Sequence, residues 1–266
     1  TIHNFTTLRI AKIGLQFQTA VIFKWIYNSK NIGIKARWGL KSIDKAVFLN
    51  EFVKDYWSRQ FVLNRIESII IPDGITIDRK DMPLINRFKN YLYVGRITEG
   101  KGLKILISAF ELIEGDNLII VGEFNPLNNE YHYELQELVK TKQLDQKVKF
   151  HGKKELSEIF DFYDKADMII IPSILPEAQP LVFVESVMRS KLCICSNIGG
   201  IKEMCQDSFL FFKPNCPIAI ANKIRELENM EKEILANRFS SLREMLLNKY
   251  DKENTQLSTI QFLFEV

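Results

Sequence analysis

An α/β chain built on a doubly wound parallel sheet is the fold class that the sequence predicts, and three observations carry it. Short runs that are apolar throughout recur along the chain, and a stretch of helical periodicity follows each one. Strands buried on both faces and joined by crossover helices belong to parallel sheets covered on both sides. In the first of the later helices, Leu103, Leu106, Ile107, Phe110 and Ile113 fall at i, i+3, i+4, i+7 and i+10, an apolar stripe suited to packing on a sheet. With 266 residues, 46% of them apolar, the chain has material for one large or two small cores.

Taken in order, the chain opens on "TIHNFTTLRI", with Thr1 where a start would carry Met, and reads as the middle of a protein. The most apolar stretch after it, "IGLQFQTAVIFKWIY" (13–27), is interrupted by Gln16, Gln18 and Lys24 and is too short to span a bilayer. It predicts a helix, buried or at a domain contact, with a membrane-surface helix as the alternative. "KAVFLN" (45–50), "EFVKDYWSRQFVL" (51–63) and "SIIIP" (68–72) form one strand–helix–strand step. The turn-rich segment 73–90, preceded by Pro72 and holding Gly74 and Pro83, reads as a linker, with a domain boundary near 75–88. Strands then follow at 91–95, 117–122, 147–152, 168–173 and 192–197, and helical periodicity returns at 236–266. The expected division is a first domain at 1–80, a second at 88–235, and C-terminal helices at 236–266 packing back toward the first domain.

Composition narrows the function less. Thirty-six basic against 33 acidic side chains leave a net charge of +3, too little to argue for a nucleic-acid partner. The four cysteines lie between Cys193 and Cys216 without a C-x-x-C pair; Cys193 and Cys195 share one face of a strand and read as buried structural thiols rather than metal ligands. Free thiols and no recognisable secretory signal predict a cytoplasmic protein.

In a doubly wound sheet ligands sit beyond the carboxyl ends of the strands. Those ends are Gly95-Arg96, Gly122-Glu123, His151-Gly152-Lys153, Ser173 through Glu177, and Asn197 through Gly200. Arg96 and Lys101, set among Gly95, Gly100 and Gly102, point to an anion, with phosphate the natural candidate. Neither G-x-G-x-x-G nor the P-loop G-K-[ST] is present, which argues against dinucleotide binding and ATPase chemistry. Pro180, read as a first helical residue, leaves the amides of Leu181 and Val182 free to receive a phosphate. Glu185 lies in an apolar run and needs a hydrogen-bonding partner such as a ribose diol. Glu177, eight positions earlier, leaves three readings open for the pair: acid and base of a hydrolase, a clamp on ligand hydroxyls, or solvated charges. No Asp-x-Asp pair and no His/Cys cluster accompanies them, so neither a metal nor a cofactor is expected.

These residues resemble the retaining, nucleotide-sugar-dependent glycosyltransferases of family four, which have the B-type fold of two Rossmann-like domains. "VGRITEGKGLKILISAF" is similar to that family's Gly-Arg…Lys-Gly block, "IIVGE" to its second strand and "VKFHGKK" to its base-binding loop. "IPSILPEAQPLVFVESVM" resembles its paired-glutamate signature and "SNIGGIKEM" the Gly-Gly-x-x-Glu turn. The blocks stand in the family's order and spacing over about 45–230. Upstream, His3 in "TIHNF" is similar to a histidine that faces the donor sugar.

The resemblance implies that Arg96 and Lys101 neutralise a diphosphate, Glu185 holds the ribose hydroxyls, and Glu177 contacts the transferred sugar. Gly95, Gly122, Gly152, Lys153, Leu181, Val182, Gly199 and Gly200 complete the donor site, with His3 across the cleft. The leaving phosphate then accepts the acceptor's proton. Pro180 occupies a place the family often gives to glycine, and Ser190-Lys191 replaces a glycine-containing turn. The implied substrates are a nucleotide-diphosphate sugar and a glycan or glycolipid acceptor in surface polysaccharide assembly, with peripheral contact at the inner face of the cell membrane.

Roughly the first hundred residues of the usual N-terminal domain are expected to be missing, along with the strands that flank "KAVFLN". The resulting open edges would favour association. The alternative function is a noncatalytic fragment that binds nucleotide or nucleotide-sugar. A glycoside hydrolase has no use for the Arg-Lys-Gly anion site, and the lysine block a phosphorylase needs is not found.

Overall fold

The computed structural model describes residues 10–12, 19–23, 44–60, 66–76, 87–113, 117–124, 130–205 and 207–264, and its strands form two sheets. The first sheet contains β1 (Ile10–Lys12), β2 (Thr19–Phe23), β3 (Lys45–Phe48) and β4 (Glu67–Ile70) in that spatial order. β1 runs antiparallel to β2, and the other pairs are parallel.

Two expectations are corrected by this sheet. Thr19–Phe23, within the stretch read as a helix, is a strand whose sequence TAVIF is rich in β-branched and aromatic residues. "KAVFLN" does not stand with open edges, because β2 pairs with β3 on one side and β4 on the other. A short apolar run carries too little periodicity to separate strand from helix, and here the pairing partners decide.

β3 passes directly into α1 (Glu51–Gln60) at Asn50. The Asn50 side-chain oxygen accepts the Val53 amide at 2.9 Å and its carbonyl accepts the Lys54 amide at 3.1 Å, an N-cap arrangement. Val53 and Trp57, four apart on one face of α1, are buried against Ala46, Phe48 and Leu49.

The second sheet contains β5 (Asn90–Val94), β6 (Asn117–Val121), β7 (Val148–Gly152), β8 (Met168–Ile171), β9 (Leu192–Ser196) and β10 (Phe211–Phe212). Their order is β10-β9-β8-β5-β6-β7 and every pairing is parallel. Five of these strands match the apolar runs of the sequence; the two-residue β10 is too short to show a pattern of its own. The sheet is flanked by α2 (Leu103–Ala109), α3 (Glu130–Thr141), α4 (Leu156–Lys165), α5 (Leu181–Met188) and α6 (Pro217–Glu228). The stripe from Leu103 to Ile113 is buried in its core.

Cys193, Cys195 and Cys205 are buried in the same core, where desolvation pushes the Cys205 thiol up to about 11 and the other two further. Such thiols are inert packing groups. Ser190 adopts a left-handed backbone with φ 57°, and the buried Lys191 ammonium donates to the carbonyls of Asp164 at 2.9 Å and Ala166 at 2.7 Å. This Ser-Lys turn therefore caps the end of α4 with a cation, where the helix dipole favours one.

Two last helices follow, α7 (Lys232–Lys249) and α8 (Lys252–Phe264). α8 lies against the first sheet: Leu263 is buried with Val47 and Ile71, Phe262 packs beside them, and Phe264 is exposed. The Lys45 ammonium donates to the Phe262 carbonyl at 3.0 Å, close to the end of that helix. No helix among the described residues is long and apolar enough to cross a membrane.

Candidate functional site at the strand switch point

β5 and β8 are neighbours in space although two strands separate them in sequence, so the chain order reverses between them. Their carboxyl ends open the crevice where doubly wound sheets bind ligands. The loop after β5 carries Gly95, Arg96 and Lys101, and the loop after β8 carries Ser173 and Glu177. Both loops are stitched into one body. The amides of Ile174 and Leu175 donate to the Gly100 carbonyl at 2.9 and 3.2 Å. A Cβ on Gly102, which has φ 74°, would lie 1.9 Å from the Pro172 carbonyl oxygen.

Glu177 is the centre of the polar groups in this crevice. One carboxylate oxygen accepts from the Lys101 ammonium and the other from the Ser173 hydroxyl. The Lys101 and Glu177 side chains are each 23% exposed, so their ion pair is half-buried and still open to a ligand. Arg96 is exposed and, among the described residues, its side chain makes no hydrogen bond or ion pair. Its carbonyl accepts from the Tyr93 hydroxyl at 2.7 Å. That hydroxyl is held well above its usual range by burial and then by the Glu177 charge, with the Arg96 charge opposing. Glu177 and Arg96 thus act on one buried hydroxyl with opposite sign.

α5 supplies the second carboxylate. Pro180 is its N-cap, with extended backbone at φ −73° and ψ 100°, and Leu181 is the first helical residue, one later than the sequence suggested. The amides of Leu181 and Val182 still head the helix and have no partner within it. Glu185 is half-buried, and the Tyr163 hydroxyl donates to it at 2.9 Å. Burial holds the Glu185 carboxyl above the usual carboxylate range; the Tyr163 hydrogen bond and the Arg189 charge act against this. Arg189 in turn pairs with Asp164 at 2.6 Å.

The glycines divide into two groups. A Cβ on Gly122 would stand 1.8 Å from the Gly95 carbonyl oxygen, and one on Gly200 2.0 Å from the Ala178 oxygen. A Cβ on Gly199, with φ 73°, would meet the Glu177 carbonyl oxygen at 2.6 Å and its nitrogen at 2.8 Å. Close approach of protein backbone accounts for these three without any ligand. Gly152, with φ 68°, faces open space. Beside it Lys153 is exposed and pairs with Glu123 at 3.2 Å, at the ends of β7 and β6. His3 lies outside the described residues. Among those described, no group of three or more His, Cys, Asp or Glu side chains could hold a metal ion.

Sequence reasoning missed Tyr163, Asn50, Gln179 and the partner of Glu203. The Glu203 carboxylate accepts the amides of Glu51 at 2.8 Å and Phe52 at 2.7 Å, at the start of α1. Gln179 exchanges two hydrogen bonds with the Asp73 backbone, at 3.0 and 2.7 Å. Only Asn50 left a signal, an Asn immediately before a helical pattern.

Comparison with known proteins agrees with this architecture. A lipopolysaccharide 1,2-N-acetylglucosaminetransferase of Salmonella typhimurium is 25% identical over 230 residues, which cover 79% of this chain and 59% of that protein. The chain therefore spans well under two thirds of that relative's length. A glycosyltransferase from Rickettsia africae superimposes with a TM-score of 0.78 at 21% identity, covering 92% of this chain and 70% of that one. HepE of Anabaena, crystallised in complex with UDP and glucose, superimposes with a TM-score of 0.76 at 18% identity, covering 86% and 66%. At these identities the structures establish the fold alone. Residues 75–242 match the family described as Glycosyl transferases group 1, and a match over more than half of the sequence means that the chain belongs to that family.

Proposed function

We propose that this chain handles the donor in a retaining glycosyltransferase, one that moves a sugar from a nucleoside-diphosphate sugar to a glycan or glycolipid acceptor in surface-glycan assembly. The observation that carries the reading is the Lys101–Glu177–Ser173 cluster at the switch point, with Glu185 on the helix that follows. The UDP in the HepE complex and the surface-glycan substrate in the Salmonella relative's name support the donor and acceptor classes. Residues 88–235 form the donor unit in this reading, and residues 1–80 belong to the acceptor side.

Each residue's part follows from its chemistry. The Lys101 ammonium has three protons, so its bond to Glu177 leaves two for a phosphate oxygen. Arg96 and the first amides of α5 add to the same positive field. Glu177 retains acceptor capacity for hydroxyls of the sugar, and Glu185 for those of the ribose. In transfer, the bond between the anomeric carbon and the phosphate oxygen breaks and the acceptor oxygen bonds to that carbon. The acceptor's proton passes to the departing phosphate on the same face. The protein positions the reactants and stabilises the developing phosphate charge. His3 is the residue proposed to face the sugar.

Calorimetric titration with UDP, GDP and ADP tests the reading, and failure of all three to bind would overturn it. Glu177→Gln should reduce affinity for the matching nucleotide-sugar about tenfold more than affinity for the bare nucleotide, since only the sugar reaches residue 177. Equal losses would remove Glu177 from the sugar site. Because protein cations offset the diphosphate in this proposal, a chelator should leave nucleotide affinity unchanged. A strict divalent-ion requirement for binding would contradict it.

Peripheral contact with the inner face of the cell membrane belongs to the same proposal. Arg9, Lys12, Lys24, Lys30, Lys35, Arg37 and Lys41 precede the first acidic residue, Asp44. A basic segment of this kind suits an anionic surface.

A further inference from the structure

We infer that Asn50 is a positioning residue for the donor sugar, acting on Glu177 from the other sheet. The inference rests on the reading of Glu177 as the group that contacts the transferred sugar. Three consecutive residues of the loop after β8 are gripped from outside it. The Glu177 carbonyl accepts the Gly200 amide at 2.8 Å, and Glu177 forms a parallel bridge with Gly199. The Ala178 carbonyl accepts the side-chain amide of Asn50. Gln179 is fastened to the Asp73 backbone just beyond β4. The first grip comes from the sheet that carries Glu177; the other two come from the segments around β3 and β4.

Asn50 is suited to transmit position because both ends of its amide are committed. It is 5% exposed, and its oxygen caps α1 through the Val53 amide while its nitrogen reaches Ala178. Glu203 takes the two remaining first-turn amides, those of Glu51 and Phe52, so the helix start is fully capped. It is also anchored to the second sheet's side by a carboxylate at its positive end. Ala178 packs in the same cluster as Ala46, Leu49 and Trp57. Little slack remains: a Cβ on Gly200 would lie 2.3 Å from the Asn50 nitrogen. The Ala178 carbonyl, next in the chain to Glu177, is therefore held from the start of α1, whose Val53 and Trp57 pack on the first sheet.

The test separates positioning from mere stability. Asn50→Ser and Asn50→Asp each keep an oxygen able to cap Val53; the Asp carboxylate has no donor for the Ala178 carbonyl, and the Ser hydroxyl, one bond shorter than the amide, loses the reach to it. Titration with UDP, UDP-glucose and UDP-N-acetylglucosamine should give UDP affinity within about twofold of the wild type. Preference for the better UDP-sugar over UDP should fall about tenfold. In an Asn50→Ser/Glu177→Gln double variant that preference should be no lower than in Glu177→Gln alone, because both changes act on one contact. An unchanged preference in both Asn50 variants, or losses that add in full, overturns the positioning role. If Glu177→Gln by itself leaves the preference intact, the reading of Glu177 fails instead.

Discussion

UDP should bind Glu185→Gln about ten- to a hundredfold more weakly than the wild type, a loss of ~1.5–3 kcal/mol, while the variant's thermal stability stays equal or rises. The opposed signs follow from the burial of this carboxyl. Its protonation equilibrium in the folded chain lies above the usual carboxylate range, with desolvation the first cause. Over the pH interval between its usual and its raised value, the folded state holds the proton more often than the unfolded state. Stability contributed by the protonated form is present below that interval and is lost as pH rises through it. Above that interval, where Glu185 is ionised, its charge costs stability, and a neutral amide of the same shape removes the cost. Glutamine still accepts the Tyr163 hydroxyl, so the local packing is kept. A ribose diol loses a charge-assisted acceptor. Calorimetry for binding and scanning calorimetry for stability, on the same two proteins, check both signs. Unchanged UDP affinity would remove Glu185 from the site, and a marked drop in stability would mean that its charge is structural.

A carboxylate half-buried on an apolar helix and met by the hydroxyl of a buried tyrosine is the kind of residue that sequence reading can find. Glu185 is conspicuous in "LVFVESVM" because its neighbours are apolar. Lys101 and Glu177 stand out for a related reason, as charges among glycines and prolines at strand ends. Four strands of the second sheet, β5, β6, β8 and β9, were legible because each is apolar on both faces and stops at a glycine, a proline or a polar residue, whereas β7 alternates, with Lys149 and His151 exposed. β2 was misread because five residues cannot display a helical period or rule one out, and its character comes from β1 and β3 on either side. Contacts between the sheets left almost no trace. Glu203 stands 151 positions from Phe52, and nothing local announces that its carboxylate ends at the start of α1. The cap on Val53 could be anticipated at Asn50, whereas the bond from the same side chain to Ala178 depends wholly on tertiary placement.

Glycine shows the same limit in reverse, and it sets up the largest effect on stability. Gly122→Ala should destabilise the fold by about 3 kcal/mol or more, and Gly152→Ala by about 1–2 kcal/mol, although both glycines end neighbouring strands. At Gly122 the obstacle is the Gly95 carbonyl oxygen, 1.8 Å from the position of a new Cβ. No rotamer can relieve a clash with backbone. The strand ends would have to separate, yet the Gly95 amide donates to the Val121 carbonyl at 3.0 Å and the Gly122 amide to the Gly152 carbonyl at 2.9 Å. Relief on either side therefore breaks a ladder bond beside the switch point. At Gly152 a methyl group meets nothing within 4 Å, and the cost is only the left-handed backbone at φ 68°. Binding should separate the two positions in the opposite sense. Where Gly122→Ala still folds, its UDP affinity should follow the fraction folded. Gly152→Ala places its methyl in space proposed for the donor and should weaken UDP about tenfold in a protein that is almost fully folded. Denaturant melts and UDP titrations on the two variants decide the matter. Similar stabilities would show that the strand ends yield more easily than their hydrogen bonds imply, and unchanged UDP affinity in Gly152→Ala would place the donor away from β7.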